Sequence, residues 1–284
     1  MTIKKQETKI IFCGLPSSGK TTFLGALSYL AANDEVGKEL ELAGLPTERH
    51  FFNELAHQWV CCEPMLRTKV SSSEKIEMTL KKNDQHFLIE MPDLSGETWD
   101  ELWIEHELDT NIVSFLNETS GIVFFIHVDK LKVPMSICDE TSIVQPKISD
   151  NTDNIQLEKW KPTEHSTTQS IVVDLLGKIA SQLKGVNKKL VVVLSAWDTI
   201  SDSPSPISFI EKELPLLYQY LDCKFDYEQV DIFGVSAQGG SLDQQAQKDM
   251  LLDEDEPSKR IKVTKNGTEY SQDLTQILSC LVDE

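Results

Sequence analysis

The chain has 284 residues, a formal net charge of −19 and a hydrophobic content of 40%. This length and apolar content are enough for one large domain with a substantial core, or for two small domains. The strong negative charge disfavours direct binding to nucleic acid or to an anionic membrane, because their phosphate groups would repel the protein.

Features of the sequence favour a cytoplasmic location. The longest apolar run, residues 121–128, is too short to span a membrane, and the first residues lack the apolar core of a signal peptide. The six cysteines are scattered and form no C-x-x-C pair. This favours reduced thiols over disulfides or a zinc site.

Strand and helix patterns alternate along the chain. The predicted strands are 9–14, 75–80, 86–91, 121–128, 189–195 and 230–236. The predicted helices are 21–32, 47–60, 97–118, 166–183, 206–222 (interrupted at Pro215) and 271–282. Such alternation predicts an α/β fold with helices on both faces of a sheet.

We predict a single domain over residues 1–284, with its core in about 8–128 and 165–240. The remaining segments are expected to be insertions, at about 33–67, 131–164 and 245–270. The second insertion is polar, contains three prolines and shows no periodicity, which is typical of a loop. The acidic third one is expected to be a solvated loop.

The strongest motif is GLPSSGKTT, from Gly14 to Thr22, which matches the phosphate-binding pattern G-x-x-x-x-G-K-[ST]. It follows a buried-type strand and opens an amphipathic helix, as a phosphate loop requires. We expect Lys20 to reach the β- and γ-phosphates and the Thr21 hydroxyl to bind Mg²⁺. The predicted nucleotide contacts in this loop are Gly14, Ser17, Ser18, Gly19, Lys20, Thr21 and Thr22.

A second motif, D-x-x-G, follows the predicted strand 86–91. In it Asp93 would hold Mg²⁺ through a water molecule, and the Gly96 N–H would meet the γ-phosphate. The pattern is weak alone, but it is moderately specific when it ends the strand that follows a phosphate loop.

With these motifs, residues 8–240 resemble the small, Ras-like P-loop GTPases. The resemblance implies a three-layer P-loop NTPase sandwich whose mostly parallel sheet has six strands, one of them antiparallel. It also implies GTP or GDP with Mg²⁺ as ligands, and a switch threonine, for which Thr68 is favoured over Thr47. Glu97 stands where those enzymes usually carry the glutamine that orients the attacking water.

The base site is predicted at LVVVLSAWDT, residues 190–199. One carboxylate, Asp198, can accept from both the ring N–H and the exocyclic amine of guanine, whereas adenine offers it only one donor. Ser195 is expected to bond backbone near the phosphate loop. Ala196 replaces the usual lysine, whose stem would lie over the base. Trp197 is a further candidate contact.

Ser236 and Ala237 follow the last predicted strand. Ras-like GTPases have a Ser–Ala pair there, and the resemblance implies that the Ala237 N–H meets the guanine carbonyl. Four patterns in the expected order, each ending a predicted strand, favour guanine, with a weaker grip on the base than in a lysine-bearing relative.

Phosphoryl transfer often uses an arginine, and the chain has three. Arg67, just before Thr68, is the candidate for an arginine supplied by the chain itself, although a surface or ion-pairing role is the favoured interpretation. Our hypothesis is slow GTP hydrolysis that a partner accelerates. A P-loop ATPase or kinase, and a nucleotide-binding scaffold without hydrolysis, are the other interpretations.

Several stretches are similar to the double-GTPase proteins of bacterial conflict and defence gene clusters, which are named for occurring beside a second GTPase. They are GLPSSGKTTFLGAL, WVCCEPMLRT, DLSGE, SAWD and PISFIEKELPLLYQYL. This resemblance implies a bacterial cytosolic GTPase. Its partner would be a second GTPase or a GTPase-associated protein on another polypeptide.

Overall fold

The structure is a computed structural model. It describes residues 7–44, 46, 48–65, 76–83, 85–91, 96–105, 110–134, 162–183, 189–223 and 227–281. The predicted sites at Thr47, Arg67, Thr68 and Asp93 lie outside these residues, as does most of the expected insertion 131–164.

The described strands make one sheet. They are β1 (Glu7–Gly14), β2 (Glu41–Leu42), β3 (Ile76–Lys82), β4 (Gln85–Met91), β5 (Gly121–His127), β6 (Lys189–Ser195), β7 (Gln229–Ser236) and β8 (Lys262–Thr264). Their order is β2-β3-β4-β1-β5-β6-β7-β8. The central strands β4, β1, β5, β6 and β7 pair in parallel.

The described α-helices are α1 (Lys20–Ala32), α2 (Arg49–Val60), α3 (Gly96–Glu105), α4 (Thr110–Glu118), α5 (Pro162–His165), α6 (Thr168–Gln182), α7 (Pro206–Glu213), α8 (Pro215–Asp222), α9 (Gln245–Leu252) and α10 (Thr275–Ser279). Single 3-10 turns cover Val128–Lys130, Trp197–Thr199 and Pro257–Arg260. In the part of the chain that the structure describes, no helix has the length and apolarity needed to cross a membrane.

The predicted α/β class is confirmed, but the sheet is larger than the six strands expected. The six predicted strands are present, with β3 antiparallel to β4. Two short strands extend the edges: β2 pairs antiparallel with β3, and β8 pairs antiparallel with β7. They lie in two of the expected insertions, and segments of two or three residues are too short to show a strand periodicity.

Helix boundaries also differ from the prediction. The single helix expected over 97–118 is two helices, α3 and α4, and the expected C-terminal helix 271–282 is the short α10. The predicted break at Pro215 is confirmed, because proline opens a helix readily but cannot continue one. The segment 245–270, expected to be a solvated loop, contains α9, a 3-10 turn and β8.

Two apolar layers cover the two faces of the sheet. Alternation along β1 sends Ile10 and Phe12 to one face and Ile11 and Cys13 to the other. The first face packs against α1, α2 and α10, and the second against α3, α4, α6, α7 and α8. Because β1 is central, the loop after it is held between both layers at the carboxyl edge of the sheet.

Candidate nucleotide site

The segment from Gly14 to Lys20 leaves β1 and turns directly into α1. Three of its residues have left-handed or otherwise positive φ: Gly14 (141°), Ser17 (56°) and Gly19 (92°). A Cβ on Gly14 would lie 2.6 Å from the Phe125 carbonyl oxygen, so only glycine fits there. This backbone bends into a cradle of the kind that binds phosphate.

The first turn of α1 adds positive potential to the cradle. Gly19 is its N-cap, no side chain caps the helix, and the first turn carries no acidic residue. The N–H groups at the start of α1 therefore keep their potential for an anion. Thr21, in this turn, is partly exposed.

The Lys20 side chain folds back onto the phosphate loop. Its Nζ donates to Gly14 O at 2.6 Å, to Leu15 O at 2.9 Å and to Ser18 Oγ at 3.1 Å. These bonds place the ammonium group at the mouth of the cradle and hold the loop in its bent form. A phosphate that enters the cradle would meet this charge directly.

Ser195, at the end of β6, connects the predicted base site to the phosphate loop. Its hydroxyl donates to Ser18 O at 2.7 Å, with Ile126 O at 3.4 Å. This is the contact with the phosphate-loop backbone that we expected of this serine. A Cβ on Gly19 would lie only 3.0 Å from the Ser195 side chain, so the two loops are in close contact.

Asp198 lies just beyond this junction, on the 3-10 turn after β6. Its side chain is exposed, and its Oδ1 accepts a hydrogen bond from the Ser236 hydroxyl at the end of β7. Ser236 itself is 2% exposed, and its Oγ also accepts from Gly239 N at 3.1 Å. The structure thus brings together Lys20, Ser195, Asp198 and Ser236 at one edge of the sheet.

Trp197 does not have the position expected for a residue that covers a base. Its side chain is 3% exposed and packs edge-on against Phe209, with ring centroids 5.4 Å apart. A Cβ on Gly234 would lie 2.4 Å from the indole ring, so the ring lies on the backbone of β7. The prediction that Trp197 contacts nucleotide is therefore corrected: the side chain belongs to the core.

Two other site residues take positions that the sequence left open. Ala196 has φ 57°, and this left-handed residue turns the chain from β6 into the 3-10 helix. Ala237 is partly buried after β7 and packs against the apolar layer of α1 and α2. Gly96 and Glu97 begin α3; the structure describes their backbone only.

A cavity of about 400 Å³ opens beside the phosphate loop. It is bounded by residues 15–18 and 125–127, by Lys130 and Lys132, and by the first turns of α6. His127 lines it, and its Nδ1 is buried with no hydrogen-bond partner in the described part of the chain. The pKa of His127 is lowered, mainly because burial disfavours the charged imidazolium and secondly because Lys130 repels it. The carboxylates of Asp129 and Asp198 oppose this shift in part. The two lysines give this wall a positive charge in an acidic protein.

Sequence reasoning missed Trp59 and Arg260, which support the loop after β7. The Trp59 indole donates to Ala237 O, and Arg260 is 5% exposed beside it. For Trp59, the sequence shows only that the tryptophan lies on the apolar face of a helix and does not indicate the hydrogen-bond partner of its N–H. For Arg260, the surrounding segment was expected to be a solvated loop.

Comparison with known proteins assigns the family. The sequence model of the Double-GTPase 1 family matches residues 11–281. This protein belongs to the Double-GTPase 1 family. As a member of a GTPase family it is a guanine-nucleotide-binding protein, and the resemblance inferred from its motifs is confirmed.

Two of the solved structures that match the chain, both at low identity, are a small GTPase and a GTP-binding protein. The Arl6 small GTPase from Trypanosoma brucei, with bound GppNp, is 12% identical with a TM-score of 0.37, and the match covers 87% of this chain and 95% of that one. A nucleolar GTP-binding protein 1 from Plasmodium falciparum is 15% identical with a TM-score of 0.39, covering 88% and 89%. No curated protein matches the sequence.

Proposed function

We propose that this Double-GTPase 1 protein binds GTP with Mg²⁺ at the carboxyl edge of its sheet, hydrolyses it slowly to GDP and phosphate, and acts as a nucleotide switch. The observation that carries the proposal is the bond from Ser195 to Ser18 O. It joins the loop that bears Asp198 to the phosphate loop, so one nucleotide can meet both.

The phosphate end of the site suits a triphosphate. Lys20 and the uncapped start of α1 supply positive charge. Thr21, Thr68 and Asp93 would hold Mg²⁺. When bound, the ion supplies charge that neutralises the phosphate oxygens.

Positioning of the attacking water is assigned to the start of α3. The Gly96 N–H would bind the γ-phosphate. The Glu97 carboxylate would either act as a base on the attacking water or repel the γ-phosphate and so slow hydrolysis. If the chain itself supplies the arginine that stabilises the transition state, Arg67 is the candidate.

The base end suits guanine. The exposed carboxylate of Asp198 keeps Oδ2 for a ligand while Ser236 orients Oδ1. A guanine would give this group two donors, and adenine would leave it facing a lone pair. Ala237 would complete the site through its backbone N–H.

We further propose that this protein works in the bacterial cytoplasm, in a defence or conflict system, with a second GTPase or a GTPase-associated protein as partner. The family name and the −19 charge of the chain support a protein partner over nucleic acid or membrane. Purified protein alone should hydrolyse GTP slowly; turnover at about tens per second would refute the need for a partner.

A titration with fluorescent GDP, GTP and ATP tests base and phosphate recognition together. We expect GDP and GTP to bind at least about 100-fold more tightly than ATP. The Lys20→Ala variant should lose most of its affinity for GDP and GTP. A cooperative thermal unfolding transition should show that this variant is still folded. Binding of ATP as tight as that of GTP would instead indicate an ATPase or kinase.

Single-turnover hydrolysis separates an enzyme from a scaffold. Protein loaded with GTP should release phosphate when Mg²⁺ is added, and the Asp93→Ala variant should release it far more slowly. Tight GTP binding with no phosphate release over hours, with or without Mg²⁺, would favour a nucleotide-binding scaffold.

A further inference from the structure

A buried tryptophan of α2 holds the loop after β7 from outside the nucleotide site. Trp59 is 0% exposed, and its Nε1–H donates to Ala237 O at 2.9 Å. In return, the Gln238 side-chain amide donates to Trp59 O at 3.3 Å. The first pair is separated by 178 residues, so the contact exists only because α2 docks onto the loop.

The indole ring is itself fixed by its neighbours. The Tyr29 ring of α1 packs on it with centroids 5.3 Å apart, and the Arg260 guanidinium lies 5.6 Å from its centroid. Arg260 Nη1 also donates to Val60 O at 3.0 Å, which anchors the end of α2. Trp59 is thus a rigid donor.

The opposite side of the same loop leads to the proposed base site. Gly239 has φ 91°, and a Cβ there would lie 2.5 Å from Arg260 O, so the loop is pressed against this segment. Gly239 N donates to Ser236 Oγ at 3.1 Å, and the Ser236 hydroxyl donates to Asp198. Residues 236–239 therefore lie between Trp59 and the carboxylate proposed to recognise guanine.

We infer that Trp59 is a positioning residue for base recognition. By fixing the Ala237 carbonyl, it restricts the two backbone dihedrals of this residue and so the direction of the Ala237 N–H, which is proposed to meet the guanine oxygen. The inference rests on the proposed function, because it takes guanine as the ligand. It makes an insertion helix part of the machinery that holds the base.

The Trp59→Phe variant keeps an aromatic ring but removes the N–H, leaving the Ala237 carbonyl without its partner. Fluorescent GDP should dissociate from the full chain about five- to tenfold faster than from wild type. Trp99→Phe is the matched control. Trp99 is also 0% exposed, but it lies in the other apolar layer, and its indole nitrogen has no hydrogen-bond partner among the described residues. Its GDP dissociation rate should change by less than about twofold.

A modified ligand tests whether the effect passes through the base edge. In 6-thio-GDP a sulfur replaces the guanine oxygen, and sulfur is a weak acceptor. The penalty of Trp59→Phe should therefore shrink to below about twofold with this ligand. An equal penalty with both ligands would mean that the tryptophan acts only through general stability, and the inference would fail.

Thermal melting checks that each variant is folded. If Trp59→Phe does not fold, Gln238→Met removes the return bond to Trp59 O together with the contact of the same amide with Cys62 Sγ, and should speed GDP dissociation about two- to threefold. If the wild-type protein shows no GDP binding that the Lys20→Ala variant loses, the proposed function is refuted. Wild type that binds GDP, with dissociation unchanged in both Trp59→Phe and Gln238→Met, would refute only the role of Trp59.

Discussion

The two ends of the candidate site are built in different ways. The phosphate half, residues 14–22, is held by contacts within a few residues: Lys20 reaches back to Gly14 O and Leu15 O. The base half, residues 195–198 and 236–239, depends on contacts over long separations. Ser195 meets Ser18 across 177 residues, and Trp59 meets Ala237 across 178.

This difference predicts how each half fails. A local loop fails when its own backbone cannot take the required conformation, because its hydrogen bonds are already in place within the segment. An assembled loop fails when a remote support is lost, even if its own residues are unchanged. The three variants below test the phosphate half, the base half and the junction between them, from the largest expected effect to the smallest.

Gly14→Ala should break the phosphate half. Its φ of 141° and the Cβ position 2.6 Å from Phe125 O leave no room for a methyl group without a backbone shift. We expect GDP affinity to fall at least about 100-fold, measured by equilibrium titration. Gly44→Ala is the control, because a Cβ there meets no atom of the described residues within 4 Å. A Gly14→Ala protein with wild-type affinity would contradict the importance of this bend.

Asp198→Asn should change which base the protein prefers without disturbing the phosphate half. Asparagine keeps an acceptor for the Ser236 hydroxyl but presents an amide donor to the ligand. Guanine nucleotides should bind about 100-fold more weakly, and xanthine nucleotides, which carry an oxygen in place of the amine, should bind more tightly. Competition between GDP and XDP for the variant measures this. An unchanged preference would remove Asp198 from the base site.

Ser195→Ala should have the smallest effect, although this side chain joins the two halves. It leaves Ser18 O without its donor, which costs about 1 kcal/mol and should weaken GDP binding about fivefold. Ser181→Ala is the control, since it removes an exposed hydroxyl whose hydrogen bonds to described residues all lie within α6. Equal GDP titration curves for the Ser195 and Ser181 variants would show that the junction does not matter for binding.

The sequence predictions were most accurate for features that depend on residues close together in the chain. The phosphate motif, the six principal strands and the break at Pro215 are all encoded by residues close together in the chain, and their local conformations are present. Trp197 was placed wrongly because the sequence does not say whether an aromatic residue beside a motif faces a ligand or the core. Its ring lies on Gly234, a contact that requires β6 and β7 to pair.

The insertions were predicted least well. Segment 245–270 lacks a long apolar period and is rich in acidic residues, so it suggested a loop. In the structure it contributes β8 to the sheet and Arg260 to the packing around Trp59. Such short elements gain their stability from docking, which periodicity cannot detect.

By itself, the sequence determined that this protein is an α/β nucleotide-binding protein with a phosphate loop at Gly14–Thr22, because glycine conformations and strand periodicity act locally. Only the tertiary structure decided what supports the base half from outside: the docking of α2 and the contact of Trp59 with Ala237. The residues around Trp59 and those around Ala237 carry no signal of the hydrogen bond between them, which forms only when the sheet and its layers have assembled.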